Sequence, residues 1–295
     1  MHISLDSALG RQRRLNSVGE SVLQIAPNAA AAYSLRSLTG GDPKVVRVRR
    51  DTDGGAGDND EQDFTASGIS SGALVAFVGS GNDGFVETWY DQSGNSKDAV
   101  QATAANQPQI VSAGALVVDS AGLPEIDFDG SNDCLTASSY SRSGEDLPLT
   151  MISVFDQDVA GVDYVVSLNQ TNNNAFDRIL LRTDSFDYGR RATDNSAKAG
   201  SGSDPDVNTK YVFTAINAGT TSSGFVDGSS IFSGVDTNVG TQALDQIDIG
   251  ANNGDSNSNS NPFDGKIQEI IIYETDQSDN RLALEANIMT NYGIS

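Results

Sequence analysis

The segment PEIDFDG places Glu125, Asp127 and Asp129 at every second position. On a strand, alternate side chains share a face, so the three carboxyls line up. Two carboxyls about 5 to 5.5 Å apart are what retaining hydrolysis of a glycosidic bond requires. The same residues run into Gly130-Ser131-Asn132-Asp133 and read equally as a solvent-facing strand closed by an Asp/Gly turn. With one cysteine, Cys134, and one histidine, His2, the chain lacks the groups for Ser-His-Asp or Cys-His catalysis, the usual zinc sites and an internal disulfide. Enzymatic chemistry would therefore fall to carboxylates, with no catalytic residue assigned beyond the candidates Glu125, Asp127 and Asp129.

An oxygen-liganded ion such as calcium is the metal type this composition allows. The stretch DTDGGAGDNDEQD offers Asp51, Asp53, Asp58 and Asp60. Laid on the EF-hand pattern from Asp51, it has Ala56 where the central glycine belongs and Gln62 where a bidentate glutamate belongs, so it is not an EF-hand. An irregular calcium site from the four aspartates stands against a solvated acidic loop. No other cofactor is expected.

Sugar hydroxyls could be met by the polar run ANNGDSNSNSNPFDG, through Asn252, Asn253 and Asp255, with Tyr140, Tyr164 or Tyr188 as stacking surfaces. The alternative is loop filler. In GFVETWYDQSGN, period-two alternation puts Phe85, Glu87 and the single tryptophan, Trp89, on one face and Val86, Thr88 and Tyr90 on the other. Asp91 to Asn95 then supply a turn. Trp89 is read chiefly as a packing residue, and as a ligand platform in the second place.

The elements that must position these groups are mostly strands. Segments such as ALVVD, LTMISVFDQD, DYVVSLNQ, KYVFTAINAG, DQIDIG and GKIQEIIIYETD are separated by Gly/Asn/Asp/Ser clusters, which indicates a two-sheet β-sandwich. Two helices are expected. One lies over Ala73 to Val78, capped by Ser70 or Ser71 and closed by Gly79; the other follows Asp276 or Ser278 and ends at Gly293. Residues 1–31 read as an arm that depends on a partner for its order, ahead of one domain over 32–295. Residues 1–50 hold eight Lys/Arg against three Asp/Glu, and the remainder ten against thirty-seven. A basic arm on an acidic body suits docking onto an acidic partner, whereas the net charge of −22 argues against nucleic acid. No signal-peptide pattern and no apolar run of roughly 18 residues are present, so neither export by the common route nor membrane insertion is expected.

Residues 31 to 111, from AAYSLRSL through VVRVRR, ALVAFVG and GFVETWYDQSGN to DAVQATAANQPQIV, resemble the opening of the α-L-arabinofuranosidase B catalytic domain. The same residues, continued through PEIDFDGSNDCL and FDGKIQEIIIYETDQSDNRLALEANIMTNYGI, resemble tail-fibre-like virion proteins of tailed bacteriophages with a concanavalin-A-like, laminin-G-like domain. EIDFD also resembles the Glu-x-Asp-x-x-Glu signature of laminarinase-type glycoside hydrolases, with its last acid at a different offset.

These resemblances imply an all-β concanavalin-A-like jelly roll with a short helix and a C-terminal helix. No catalytic residue carries over from the arabinofuranosidases. The phage-type resemblance implies a virion structural protein assembled in the host cytoplasm, attached to other virion proteins through residues 1–31, oligomeric in the particle, and displaying a lectin-like surface to host glycans. On that reading the chain is not an enzyme. The competing expectations are a glycoside hydrolase of arabinofuranosidase or laminarinase type using paired carboxylates, and a decoration module that binds no sugar.

Overall fold

The structure is a computed structural model that describes residues 19–51, 60–143, 148–170, 178–183, 186–191, 197–219, 221–236, 243–252 and 261–295. Its strands are β1 (Ala31–Ser34), β2 (Lys44–Asp51), β3 (Glu61–Thr65), β4 (Asp83–Trp89), β5 (Ala99–Val100), β6 (Gln109–Ser112), β7 (Ala115–Leu116), β8 (Ile126–Asp129), β9 (Leu135–Ala137) and β10 (Leu149–Gln157). They continue with β11 (Tyr164–Asn169), β12 (Arg178–Arg182), β13 (Asp187–Arg191), β14 (Ala197–Gly200), β15 (Lys210–Asn217), β16 (Thr221–Val226), β17 (Ser229–Asp236), β18 (Gln246–Ile249) and β19 (Asp264–Tyr273). The helices are α1 (Val22–Ile25), α2 (Ala66–Ser70), α3 (Ala73–Val78) and α4 (Arg281–Tyr292). Among the described residues no helix is long and apolar enough to cross a membrane.

All pairings are antiparallel, and the chain is the all-β sandwich that the alternating segments indicate. One layer runs β15–β10–β19–β8–β6–β4–β2–β3, with β1 also on β19. The other runs β5–β9–β18–β11–β12–β13–β14. The two meet at β4, whose Gly84-Phe85 end pairs with β6 while its Thr88-Trp89 end pairs with β5. The main core between them holds Trp89, Phe128, Phe155, Phe213 and Phe263. A smaller core lies beneath α1 and α4, on Ile152, Val154, Ile271 and Tyr273.

Two β-bulges reset the pattern of faces. On β4 the register slips so that Val86 and Thr88 oppose adjacent residues of β2, leaving Glu87 as the extra residue. The parity then inverts, as a bulge requires. Val86 and Trp89 both face the main core, Thr88 faces outward, and the expected grouping of Trp89 with Phe85 and Glu87 is not formed. The bulge on β19 skips Gln268 between Ile267 and Glu269. It lets Ile267, Ile270 and Ile272 enter the main core while Ile271 and Tyr273 enter the smaller one.

The turn after Trp89 ties two parts of the chain together. Asp91 Oδ1 accepts the Ala32 and Ser93 amides at 2.9 and 2.8 Å, and its Oδ2 accepts the Lys97 amide at 3.0 Å. Buried Gln92 accepts from the Leu38 amide at 2.8 Å and donates to the Ser34 and Arg36 carbonyls at 3.0 and 2.9 Å. These are structural clamps on the segment that follows β1.

The arm boundary at residue 31 is revised. Val22, Ala26 and Ala29 are buried against α4 and β19, and the Ala30 amide bonds Ile272. Residues 21–31 therefore take their order from this chain's own sandwich, and residues 1–18 lie outside the described residues. The helix caps also differ. Ser70 and Ser71 end α2, which Thr65 caps, and α3 starts after Gly72 at φ 81°. Helix α4 starts after Asn280, because Asp276 is used in a turn onto the Ser278 amide at 2.9 Å; Gly293 closes it at φ 67°.

Candidate functional site

Five strands bring one row of side chains onto the outer face of the first layer. The register aligns Arg49, Phe85, Gln109, Asp127 and Lys266, on β2, β4, β6, β8 and β19 respectively. Ile126 and Phe128 occupy the opposite face of β8, in the core, which forces Asp127 and Asp129 outward together. Between them and Arg49 lies a cavity of about 440 Å³, also lined by Asp51, Gln107 and Asp133. That is the size range of small-ligand sites.

The cavity wall is preorganised. Arg49 is nearly buried; its Nε donates to Gln107 Oε1 at 2.8 Å, one guanidinium nitrogen meets Asp51 Oδ2 at 3.3 Å, and its plane sits 5.0 Å from the Phe85 ring centre. Gln107 in turn donates to the Gln101 carbonyl at 2.7 Å. Phe85 supplies an apolar patch beside these polar groups.

The acid groups differ in environment. Asp133 is 6% exposed and accepts the Asp129 amide at 3.0 Å. Burial pushes its carboxyl up to about 7, with the Asp129 amide opposing and the charges of Asp129 and Asp127 adding to the rise. Asp127 is also raised, again chiefly by burial, against the pull of Lys266 at 3.6 Å. Asp129 uses Oδ1 to accept the Ser131 and Asn132 amides at 2.8 and 3.3 Å, which shapes the turn leading to Asp133. A carboxyl that keeps its proton near neutral pH beside other carboxylates is the arrangement that general acid catalysis uses.

Of the three carboxylates expected on one strand face, two reach this cavity and one does not. Glu125 is buried one step further along, pushed up to about 7 by burial, with Lys210 opposing and Asp119 and Asp156 adding. Lys210 is engaged by Asp119, and Lys266 by Asp158. Asp133 was not among the candidates. Its signal was the DGSND turn, read as a strand closure, and only the fold shows that the turn delivers its last acid back into the cavity.

The other candidates are placed differently. Trp89 is 0% exposed and packs 5.8 Å from Tyr33, and Tyr140, Tyr164 and Tyr188 are all buried, so none presents a face for stacking. Asn252 is fully buried after β18, while Asn253 and Asp255 lie outside the described residues. In the acidic stretch, Asp51 meets Arg49 and Asp60 meets Arg50 at 2.9 Å, and Asp53 and Asp58 lie outside the described residues. Among the described residues no group of three or more His, Cys, Asp or Glu side chains is placed to hold a metal ion.

No protein-family model matches the chain, and no curated protein matches it in sequence. Solved structures do match in fold. An arabinofuranosidase complexed with arabinofuranosyl-α-1,2-xylobiose superposes with a TM-score of 0.61 at 14% identity, over 88% of this chain and 62% of that one. A mutant GH54 α-L-arabinofuranosidase soaked with 4-nitrophenyl α-L-arabinofuranoside gives 0.65 at 17% identity over the same shares, and the GH54 enzyme soaked with a cyclic sulfate inhibitor gives 0.62 at 16%. The chain thus spans 62% of the length of these proteins. At such identity the likeness establishes the fold. Where the phage-type resemblance led to the expectation of a virion role and of no enzyme activity, the finding corrects it: the solved proteins that match over 88% of this chain are arabinofuranosidases. The arabinofuranosidase resemblance agrees with it.

Proposed function

We propose that this chain is a carbohydrate-active protein that hydrolyses a glycosidic bond in the cavity formed by Asp127, Asp129 and Asp133. The observation that carries the reading is the split environment of the acids. Asp133, buried and pushed up to about 7, holds a proton to deliver to the leaving-group oxygen. Asp127 or Asp129, on the adjoining strand, supplies the carboxylate that attacks the anomeric carbon or activates water. Arg49, Gln107 and Gln109 offer hydrogen bonds to ring hydroxyls, and Phe85 an apolar contact to a sugar face.

Furanosides of L-arabinose are the first substrates to test, on the ground that the solved proteins of similar fold are arabinofuranosidases. A panel of 4-nitrophenyl glycosides, with product analysis, tests the proposal. Turnover of one of them that is lost in Asp133→Asn supports it. Absence of turnover across furanosides and pyranosides refutes it.

A further inference from the structure

The strand register that builds the acid cavity also separates its two outward carboxylates. Asp127 stands between Gln109 of β6 and Lys266 of β19. Gln109 lines the cavity, whereas Lys266 lies on the other side of Asp127 and is not part of the lining. The Lys266 ammonium comes to 3.6 Å from Asp127 Oδ1, and it is anchored from its far side by Asp158, just after β10. Burial works against the charge of Lys266, but Asp158, Asp127 and Glu125 outweigh it and hold its proton in place.

Asp129 is held differently. Its side chain lies at the exposed end of β8, and its Oδ1 accepts the Ser131 and Asn132 amides at 2.8 and 3.3 Å. Asp127 has no such amides. The charged groups that face it are Lys266 and Asp264 from β19, Asp158 from the loop after β10, and Arg49, Asp51, Asp129 and Asp133 around the cavity. Burial raises the Asp127 carboxyl, Asp158 and Asp264 add to the rise, and Lys266 opposes it. A cation within about 4–6 Å favours the ionised form of a carboxyl.

We propose that Lys266 is a positioning residue for the acid cavity, fixing Asp127 as the carboxylate that works with Asp133 and leaving Asp129 to shape the turn. The assignment rests on the hydrolytic reading of the cavity. Lys266 acts through Asp127 from the side away from the cavity and does not touch substrate. Its charge keeps Asp127 ionised while Asp133 holds a proton, so the two acids are driven apart in the way that acid and nucleophile or base require. Asp158 sets how much of that charge Asp127 receives, because the two carboxylates share one ammonium group.

Carbon-detected NMR titration of the side-chain carboxyls in the full chain tests this, with D127N to assign the Asp127 signal and melting curves on each variant. In K266M the Asp127 midpoint is expected to rise by about one pH unit, a tenfold fall in the ratio of ionised to protonated carboxyl at fixed pH. K266R keeps the charge and should stay closer to the wild type. D158N should lower the midpoint, since Lys266 then serves Asp127 alone, and it carries the test if K266M fails to fold. On a hydrolysed glycoside, the acid limb of kcat/KM against pH should move upward in K266M together with the Asp127 midpoint, while the basic limb stays in place. An Asp127 midpoint that K266M or D158N leaves unmoved, a shift as large in K266R as in K266M, or an acid limb that stays put while the midpoint moves overturns the proposal. A wild type that hydrolyses no glycoside refutes the hydrolytic reading by itself, and the carboxyl midpoints still decide whether Lys266 governs Asp127.

Discussion

Replacing Asp133 by asparagine should change the pH dependence of stability in a calculable way. In the folded chain the Asp133 carboxyl is pushed up to about 7 from the ordinary 3.8 of an aspartate. Between those values the unfolded chain releases the proton while the folded chain keeps it. The unfolded state then binds fewer protons, so stability falls as pH rises from about 4 to 7 and levels off above that. At about 1.4 kcal/mol per pH unit, the loss approaches 4 kcal/mol for this one group. Asparagine can still accept the Asp129 amide through its side-chain carbonyl and carries no proton to lose. D133N should therefore gain on the wild type by several kcal/mol between pH 4.5 and 8. Urea unfolding at half-unit pH steps measures this. D133N will still slope downward over the same range, less steeply than the wild type, because Glu125, also pushed up to about 7, acts with the same sign in both proteins. Parallel profiles for the two proteins would refute the assignment of a buried, proton-holding Asp133.

Three further substitutions probe the scaffold. Gln92→Ala strips one acceptor and two donors from the backbone groups of Leu38, Ser34 and Arg36 and should cost about 3 kcal/mol or more, read from the urea midpoint. Gly250→Ala places a methyl 2.3 Å from the Phe128 ring at φ +81°, so a fall in melting temperature larger than that of an exposed glycine substitution is expected. Arg36→Ala leaves Glu269, whose side chain is 1% exposed, without the partner that now meets it at 2.7 and 3.0 Å. A loss of about 3–5 kcal/mol is expected in calorimetry, and a smaller loss would show that water reaches Glu269.

The sandwich was legible because its strands alternate and its turns carry Gly, Asn and Asp, and the β8 acids share an outward face because Ile126 and Phe128 between them are core residues. The faces of Trp89 and Ile271 were not legible, since each depends on a bulge that adds one residue without any marker in the sequence. Ser70, Asp276 and Ser278 are all plausible caps by type; the true helix starts were set by where the chain leaves the preceding turn. Asp133 escaped notice for a related reason. Its place in the cavity, beside Phe85 of β4 and Gln109 of β6, is a long-range relation that spacing along the chain does not encode. The virion expectation failed because a module shared by proteins of different function carries fold and not role.

The most direct test of the account is the rate of hydrolysis of 4-nitrophenyl α-L-arabinofuranoside, with the pyranoside panel beside it, by the wild type, D127N, D129N and D133N. The account predicts turnover by the wild type on one of these glycosides and a loss of about 100-fold or more in D133N and in one of the other two variants. Wild-type rates in all three variants, or a wild type inert on every glycoside, would contradict it.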